Sequence, residues 1–158
     1  MADKPSAYLD ALHLLARREL SVDQTRARLL DRQHPPEQVE AAIEHLLETG
    51  ALDDARVARE YARTAVEVKG RGRLRIQQEL RAMGIARETA TEAVAEAFGD
   101  VDERALISRA IQKKLRGKTR ITSRQEMARL YQFLLRQGFT PAAVSAALRK
   151  FGRTDALE

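Results

Sequence analysis

Apolar residues recur along the chain at intervals of three and four positions, the spacing that places side chains on one face of an α-helix. Tyr8, Leu12 and Leu15 follow this spacing near the start of the chain. No segment alternates between apolar and polar residues with a period of two, the pattern of a half-buried strand. The sequence therefore predicts an all-α protein.

Three stretches of the sequence align with one another at an offset of about fifty residues. They are RLLDRQHPPEQVEAAIEHL from Arg28, ELRAMGIARETATEAVAEAF from Glu79 and FLLRQGFTPAAVSAALRKF from Phe133. Apolar residues align in all three: Leu29 with Leu80 and Leu134, Val39 with Ala90 and Val144, and Ile43 with Val94 and Leu148. We expect an elongated array of three tandem three-helix, helix-turn-helix-like repeats. Each repeat is too small to bury much apolar surface alone and must be stabilised by packing against its neighbours.

Helix-start signals refine this organisation. Ser21 with Gln24 and Ser123 with Glu126 fit the capping box, Asp53 fits an N-cap, and Thr140 before Pro141 fits a cap followed by a proline at the first helical position. The predicted boundaries are a flexible N-terminus at 1–7, repeats at 8–52, 53–100 and 101–152, and a C-terminal tail at 153–158.

Charge is distributed unevenly along the chain, whose formal net charge is +5. Acidic residues dominate from Asp31 to Glu60, whereas the segment from Arg104 to Arg124 contains none. Such segregation indicates either a polyanionic partner or a protein with its own charged stripes, and the alternative is a set of solvated helix faces. Cysteine is absent, which excludes disulfides and thiolate metal sites. No signal peptide or membrane-spanning apolar run is seen, so we expect a cytoplasmic location.

Two glycines, Gly70 and Gly72, lie in a basic segment with Lys69, Arg71, Arg73 and Arg75. A dinucleotide-binding motif would need a third glycine where Arg75 stands, and no Walker-type loop occurs. Two interpretations remain. Gly70 and Gly72 form a structural turn between helices, or the loop faces an anion or a partner and the free N–H groups of the helix it opens favour the anion.

The acid-free segment predicts a second basic surface. Arg109, Lys113 and Arg116 are spaced to lie opposite the apolar stripe of Ile107, Ile111 and Leu115. The loop that follows this helix occupies the same place in the third repeat as the glycine turn does in the second. The predicted partner-binding residues are therefore Lys69, Arg71, Arg73, Arg75, Arg109, Lys113, Lys114, Arg116, Lys118, Arg120 and Arg124.

Catalytic and metal-site interpretations find little support. His13, His34 and His45 show no metal-ligand spacing, and we interpret them as packed or solvated side chains. Asp53 and Asp54 are adjacent, so on a helix they point about 100° apart and are better explained by capping. We predict no enzymatic activity, no metal and no cofactor.

Four stretches carry a resemblance: LLARRELS at 14–21, LDDARVAREYART at 52–64, KGRGRLRIQQELRAMGI at 69–85 and LYQFLLRQGFT at 130–140. In order and spacing they resemble the RecX family of bacterial recombination regulators. The sequence departs from the family at Val57, where phenylalanine is usual, and at Arg71, where an aromatic or small residue is common.

The resemblance implies a cytoplasmic, non-enzymatic protein of tandem three-helix units that binds the RecA filament on single-stranded DNA. It would lodge in the filament groove and restrain ATP turnover and strand exchange, with no membrane partner, as a monomer. One alternative is a direct DNA-binding, helix-turn-helix-type protein, although the three tyrosines fall on apolar stripes rather than at stacking positions. Another is a scaffold for an unrelated protein.

Overall fold

The computed structural model describes residues 5–156, and within them the chain forms nine α-helices and no strand. The helices are α1 (Ala7–Arg17), α2 (Val22–Asp31), α3 (Pro36–Glu48), α4 (Asp54–Glu67), α5 (Arg73–Ala82), α6 (Arg87–Ala97), α7 (Glu103–Leu115), α8 (Arg124–Arg136) and α9 (Pro141–Ala156). The predicted all-α fold of three-helix repeats is confirmed. Residues 1–4 of the predicted N-terminus and 157–158 of the predicted tail lie outside the described residues, and α9 includes residues 153–156.

The described residues divide into two compact units. The first unit holds the residues up to Tyr61 together with Glu79–Ala93, and the second holds Ala62–Gln78 together with the residues from Val94 onward. The middle repeat therefore contributes residues to both units.

The aligned apolar positions of the three repeats are buried in every copy. Leu29, Leu80 and Leu134 are all 0% exposed, and the two other aligned sets, Val39 with Ala90 and Val144 and Ile43 with Val94 and Leu148, are buried as well. The apolar spacing of α2 also predicts Leu30 on the buried stripe beside Leu29, but Leu30 is 42% exposed. Adjacent helical residues point about 100° apart, so Leu29 takes the core position and turns Leu30 outward.

Helix caps follow the sequence signals with one exception. Ser21 and Gln24 form the full capping box, Asp53 accepts a hydrogen bond from the Arg56 N–H, and Thr140 accepts one from the Ala143 N–H. Ser123 accepts from the Glu126 N–H at 3.1 Å, as predicted. The reciprocal bond differs, because the Glu126 carboxylate accepts from the N–H and hydroxyl of Thr122 instead.

The turn between the second and third helix of one repeat packs on the start of the second helix of the repeat before it. In the first unit, the Ser21 hydroxyl donates to the Met83 carbonyl at 2.5 Å. In the second unit, the Gly72 N–H donates to the Gln137 carbonyl at 2.7 Å, and the Leu74 N–H donates to the Gly138 carbonyl at 3.0 Å. Both junctions thus place the same turn against the same helix start.

The glycines of these two turns are required by space as well as by backbone conformation. Gly84 and Gly138 have φ values of 82° and 101°, the left-handed region that favours glycine. A Cβ on Gly84 would lie 2.5 Å from the Cβ of Asp23, and one on Gly138 would lie 2.5 Å from the Arg75 nitrogen. Side chains are therefore excluded at the points where the repeats meet.

A buried polar cluster crosses the first repeat. Asp10 on α1 accepts a hydrogen bond from Arg32 and pairs with the His34 Nε2 at 2.8 Å. Asp10 and His34 are each only 5% exposed. Burial raises the pKa of Asp10, but the bonds to His34 and Arg32 outweigh it, so that its pKa lies below the usual value.

Candidate partner-binding groove

An open groove with a volume of about 1070 Å³ lies in the second unit, between the C-terminal end of α4 and helices α7 and α8. Five cationic side chains line it, Lys69, Arg109, Lys113, Lys114 and Arg116, and we call it the basic groove. Among the described residues that line it, Glu67 is the acidic one. The groove is therefore a site of positive potential, because its cations outnumber its acid within a concave surface.

Helix α7 supplies most of these cations because its apolar stripe fixes which face is buried. Ile107, Ile111 and Leu115 are at most 6% exposed, whereas Arg109 and Lys113 are exposed and lie one turn apart. Arg116 was placed on the same helix face from its spacing, and this detail is wrong. The helix ends at Leu115, and Arg116 adopts a left-handed conformation with φ 50° and ψ 48°.

Lys69 reaches the groove from the glycine turn that ends α4. Gly70 has a φ of 62°, and the Lys69 and Arg71 N–H groups donate to the carbonyls of Thr64 and Ala65. These bonds close the helix with a left-handed glycine and hold the backbone of Lys69 in place. The turn is structural, as one interpretation of the sequence had it, and it also presents one basic side chain to the groove.

Lys114 contributes both charge and packing to the groove. Its Nζ lies over the ring of Phe133, 4.7 Å from the ring centroid, in a cation–π arrangement. Apolar residues stand beside the cations: Val66, Val68, Val101, Leu106 and Phe133. The groove thus combines charge with apolar surface.

Two of the predicted partner-binding residues make structural contacts outside the groove. The Arg73 guanidinium lies over the ring of Phe98, 4.4 Å from its centroid, and 3.7 Å from the Glu103 carboxylate. Arg75 donates to the Arg136 carbonyl at 3.5 Å. Arg71 is half-buried and is not among the groove residues. Of the four basic residues in the glycine turn, the structure therefore brings only Lys69 to the cations of α7.

Two backbone N–H groups are already hydrogen-bonded within the protein at the start of α5. Its leading N–H groups, those of Gly72 and Leu74, donate to the Gln137 and Gly138 carbonyls of the third repeat. These two N–H groups are therefore not available to an anion, and Gly72 is a glycine because a Cβ there would overlap the backbone of Gly138.

The loop after α7 does not extend the row of groove cations. Lys118, Arg120 and Arg124 are exposed but do not line the basic groove. Lys118 lies 3.8 Å from the Glu126 carboxylate, and the hydrogen bonds from Thr122 lower the pKa of Glu126. The segment 104–124 contains no acid, but Glu103 and Glu126 lie just outside it, and Glu126 partly compensates the charge of Lys118.

Clusters of metal ligands and membrane-spanning helices are both missing from the part of the chain that the structure describes. Among residues 5–151, whose side chains the structure describes, no group of three or more His, Asp or Glu side chains is placed to hold a metal ion. None of the described helices combines the length and apolarity needed to cross a membrane.

Three family models match successive parts of the chain. They describe the first, second and third three-helix domains of RecX and cover residues 7–46, 53–94 and 102–156. This chain belongs to the RecX family. Its repeats therefore correspond in order to the three domains of that family.

Related proteins support the same assignment. The regulatory protein RecX of Halorhodospira halophila is 40% identical over 137 residues, which span 87% of this chain and 83% of the relative. The regulatory protein RecX of Pelodictyon phaeoclathratiforme is 36% identical over 145 residues, spanning 92% and 88%.

Solved structures share the fold. The crystal structure of RecX from Lactobacillus salivarius matches with a TM-score of 0.78 at 18% identity, covering 92% of this chain and 94% of that one. A second crystal structure of a regulatory protein RecX matches with a TM-score of 0.79 at 23% identity, covering 90% and 70%.

Proposed function

We propose that this RecX-family protein is a cytoplasmic, non-enzymatic regulator that binds the RecA filament on single-stranded DNA. It lodges in the filament groove and bridges successive RecA protomers. By holding neighbouring protomers in a fixed relation, it hinders ATP turnover, strand exchange and filament growth.

The observation that carries this proposal is the convergence of five cations on the basic groove. Lys69 comes from the second repeat, and Arg109, Lys113, Lys114 and Arg116 come from the third. A concave surface of one charge attracts an oppositely charged partner over several ångströms and accelerates its encounter. An acidic protein wall or a DNA backbone in the filament would supply the opposite charge.

A second candidate function, direct DNA binding, is favoured by the same cations. A protein that holds duplex DNA mainly through phosphate contacts loses affinity steeply with salt, with a log–log slope of about 0.9 for each phosphate contacted. Binding to a recombinase surface depends less steeply on salt, because protein contacts carry part of the affinity.

The test measures affinity for naked single-stranded DNA and for RecA-coated single-stranded DNA in one assay at two salt concentrations. Tighter binding to the coated strand with the shallower salt dependence supports filament regulation. Equal or tighter binding to the naked strand, lost as salt rises, would replace it with direct DNA binding. ATP hydrolysis by RecA is followed in parallel, because regulation requires that it fall in proportion to the bound protein.

A further inference from the structure

The basic groove has apolar walls that a purely electrostatic site would not need. Val68 at its edge is 77% exposed, the highest exposure among the large apolar residues found at the surface of the described chain. Val101 and Phe133 are half-buried and line the same groove. Exposed apolar surface next to charge is typical of protein interaction sites.

The groove offers little for a nucleic acid base to stack on. Phe133 is the aromatic residue among its described lining residues, and the Lys114 ammonium lies over that ring, 4.7 Å from the centroid. Single-stranded nucleic acids gain much of their affinity from stacking on exposed aromatic faces. A phosphate backbone alone would also leave Val68 against a strongly hydrated group.

Peptide segments satisfy both halves of the groove. Aspartate and glutamate side chains would pair with Arg109, Lys113 and Arg116, and a leucine or phenylalanine in the same segment would cover the apolar wall at Val68. Acidic segments with interspersed apolar residues dock on basic, partly apolar grooves in this way, with the charges steering the encounter and the apolar contact slowing dissociation.

We propose that the basic groove binds an acidic segment of a protein partner that carries an apolar anchor residue. The proposal rests on the proposed function only in that the partner is a protein. Binding of such a segment is measurable with the isolated full chain and needs neither RecA nor DNA.

The experiment uses three labelled probes at one ionic strength. The first is an octapeptide of six acidic residues with one leucine and one phenylalanine. The second replaces both apolar residues by serine, and the third is an oligothymidine of similar charge. Fluorescence anisotropy gives the dissociation constant of each probe for the full chain and its variants.

Two variants separate the apolar contact from the charge. Val68→Ser removes apolar surface at a position 77% exposed, so the fold is not expected to change. Lys113→Glu reverses a groove charge on an exposed helical position. Their matched controls lie outside the groove: Leu47→Ser, at a residue 48% exposed, and Arg129→Glu, at an exposed residue of α8.

We expect the apolar peptide to bind more tightly than the serine peptide and the oligothymidine. Val68→Ser weakens only the apolar peptide, by roughly tenfold, the loss that corresponds to leaving one valine side chain uncovered. Lys113→Glu weakens both peptides, whereas Leu47→Ser and Arg129→Glu leave all three dissociation constants unchanged.

Two results would overturn the proposal. If the serine peptide binds as tightly as the apolar one and Val68→Ser has no effect, the groove has no apolar anchor site. If the oligothymidine binds most tightly and competes with the peptide, the groove is a nucleic acid site. The proposed function is tested separately. It is overturned if the intact protein shows no preference for RecA-coated over naked DNA, whatever the peptide probes show.

Discussion

Gly72 and Gly138 meet through their backbones in the second unit, and neither position has room for a side chain. A Cβ on Gly72 would lie 2.5 Å from the Gly138 carbonyl oxygen, while the Gly72 N–H donates to the neighbouring Gln137 carbonyl. The junction of the second and third repeats is therefore a direct backbone contact. Such contacts tolerate substitution poorly, because a main chain cannot move aside as a flexible side chain can.

Substitution of the junction glycine should destabilise the protein strongly. For Gly138→Ala we expect the free energy of unfolding to fall by about 2–4 kcal/mol. The new methyl group would overlap the backbone of Arg75, and the alanine backbone would have to keep a φ of 101°. Denaturant titration followed by circular dichroism measures the change. Gly117→Ala is the control, since Gly117 has a φ of 87° but no atom within 4 Å of the place that an added methyl group would take. An equal decrease in the free energy of unfolding of the two variants would show that the contact between the added methyl group and the Arg75 backbone contributes nothing.

Reversing the groove charges should weaken filament regulation. The triple variant Arg109→Glu, Lys113→Glu and Arg116→Glu replaces three exposed cations of the basic groove by acids. We expect at least tenfold more of it to be needed for half-maximal inhibition of RecA ATP hydrolysis, because the steering attraction becomes repulsion.

A control triple variant separates groove position from net charge. Arg63→Glu, Arg104→Glu and Arg129→Glu change the net charge by the same amount at exposed positions outside the basic groove. The concentration of this variant needed for half-maximal inhibition should stay within about threefold of that of the unaltered protein at moderate salt, where exposed charges beyond roughly 10 Å are screened. If both triple variants lose inhibition alike, the groove assignment is wrong.

The buried carboxylate of Asp10 should give the first repeat an acid-sensitive stability. Its pKa is lowered by His34 and Arg32, so its stabilising contribution is present above the usual pKa of about 3.9 and is lost as pH falls through the lower folded-state value. Asp10→Asn should reduce the free energy of unfolding at pH 7 by roughly 1–3 kcal/mol, because the charged hydrogen bonds are lost.

Denaturant titrations of Asp10→Asn at several pH values below 5 provide the measurement. The gap between the variant and the unaltered protein should narrow as the pH falls. Asp31→Asn, at an exposed residue of α2, is the control and should stay within about 0.5 kcal/mol of the unaltered protein. A gap that is constant across this range would contradict an ionised Asp10.

Asp54 should show the opposite pH dependence, because burial raises its pKa more than the hydrogen bond from the Val22 N–H lowers it. A carboxyl whose folded-state pKa is raised loses stabilising influence as pH rises from about 3.9 through the folded-state value. Asp54→Asn keeps an acceptor for the Val22 N–H without the charge. The free energy of unfolding of this variant, relative to that of the unaltered protein, should therefore be higher at pH 7 than at pH 4. Asp54→Ala removes the acceptor and should lose about 1 kcal/mol. Identical pH profiles for Asp54→Asn and the unaltered protein would contradict this assignment.

Helix content and repeat register were predictable because they depend on spacing within short stretches. Leu29, Leu80 and Leu134 could be aligned from the sequence, and all three side chains are completely buried. Capping residues were similarly local, as Ser21 with Gln24 shows. Where a partner comes from elsewhere in the chain, the same reasoning failed. Spacing gave no signal that Asp54 would accept from Val22, thirty-two positions earlier.

The candidate site was predicted in part for the same reason. Arg109 and Lys113 were placed on the exposed face of α7 by helical geometry alone. The sequence did not show that Lys69 would join them while Arg73 and Arg75 would be drawn to Phe98 and to the Arg136 carbonyl, because these contacts depend on tertiary packing. Nor did it show the pairing of Asp10 with His34, since twenty-four residues separate them.

Gln33 occupies, in the first repeat, the turn position that glycine occupies in the other two. It adopts a φ of 66° and is exposed, so its side chain extends where Gly84 and Gly138 touch a preceding helix. For protein engineering, this means that the Gln33 side chain blocks the docking of a preceding helix on this turn. A designer who wished to dock another repeat on this turn would first have to replace Gln33 by glycine, the residue that the two packed turns have at Gly84 and Gly138.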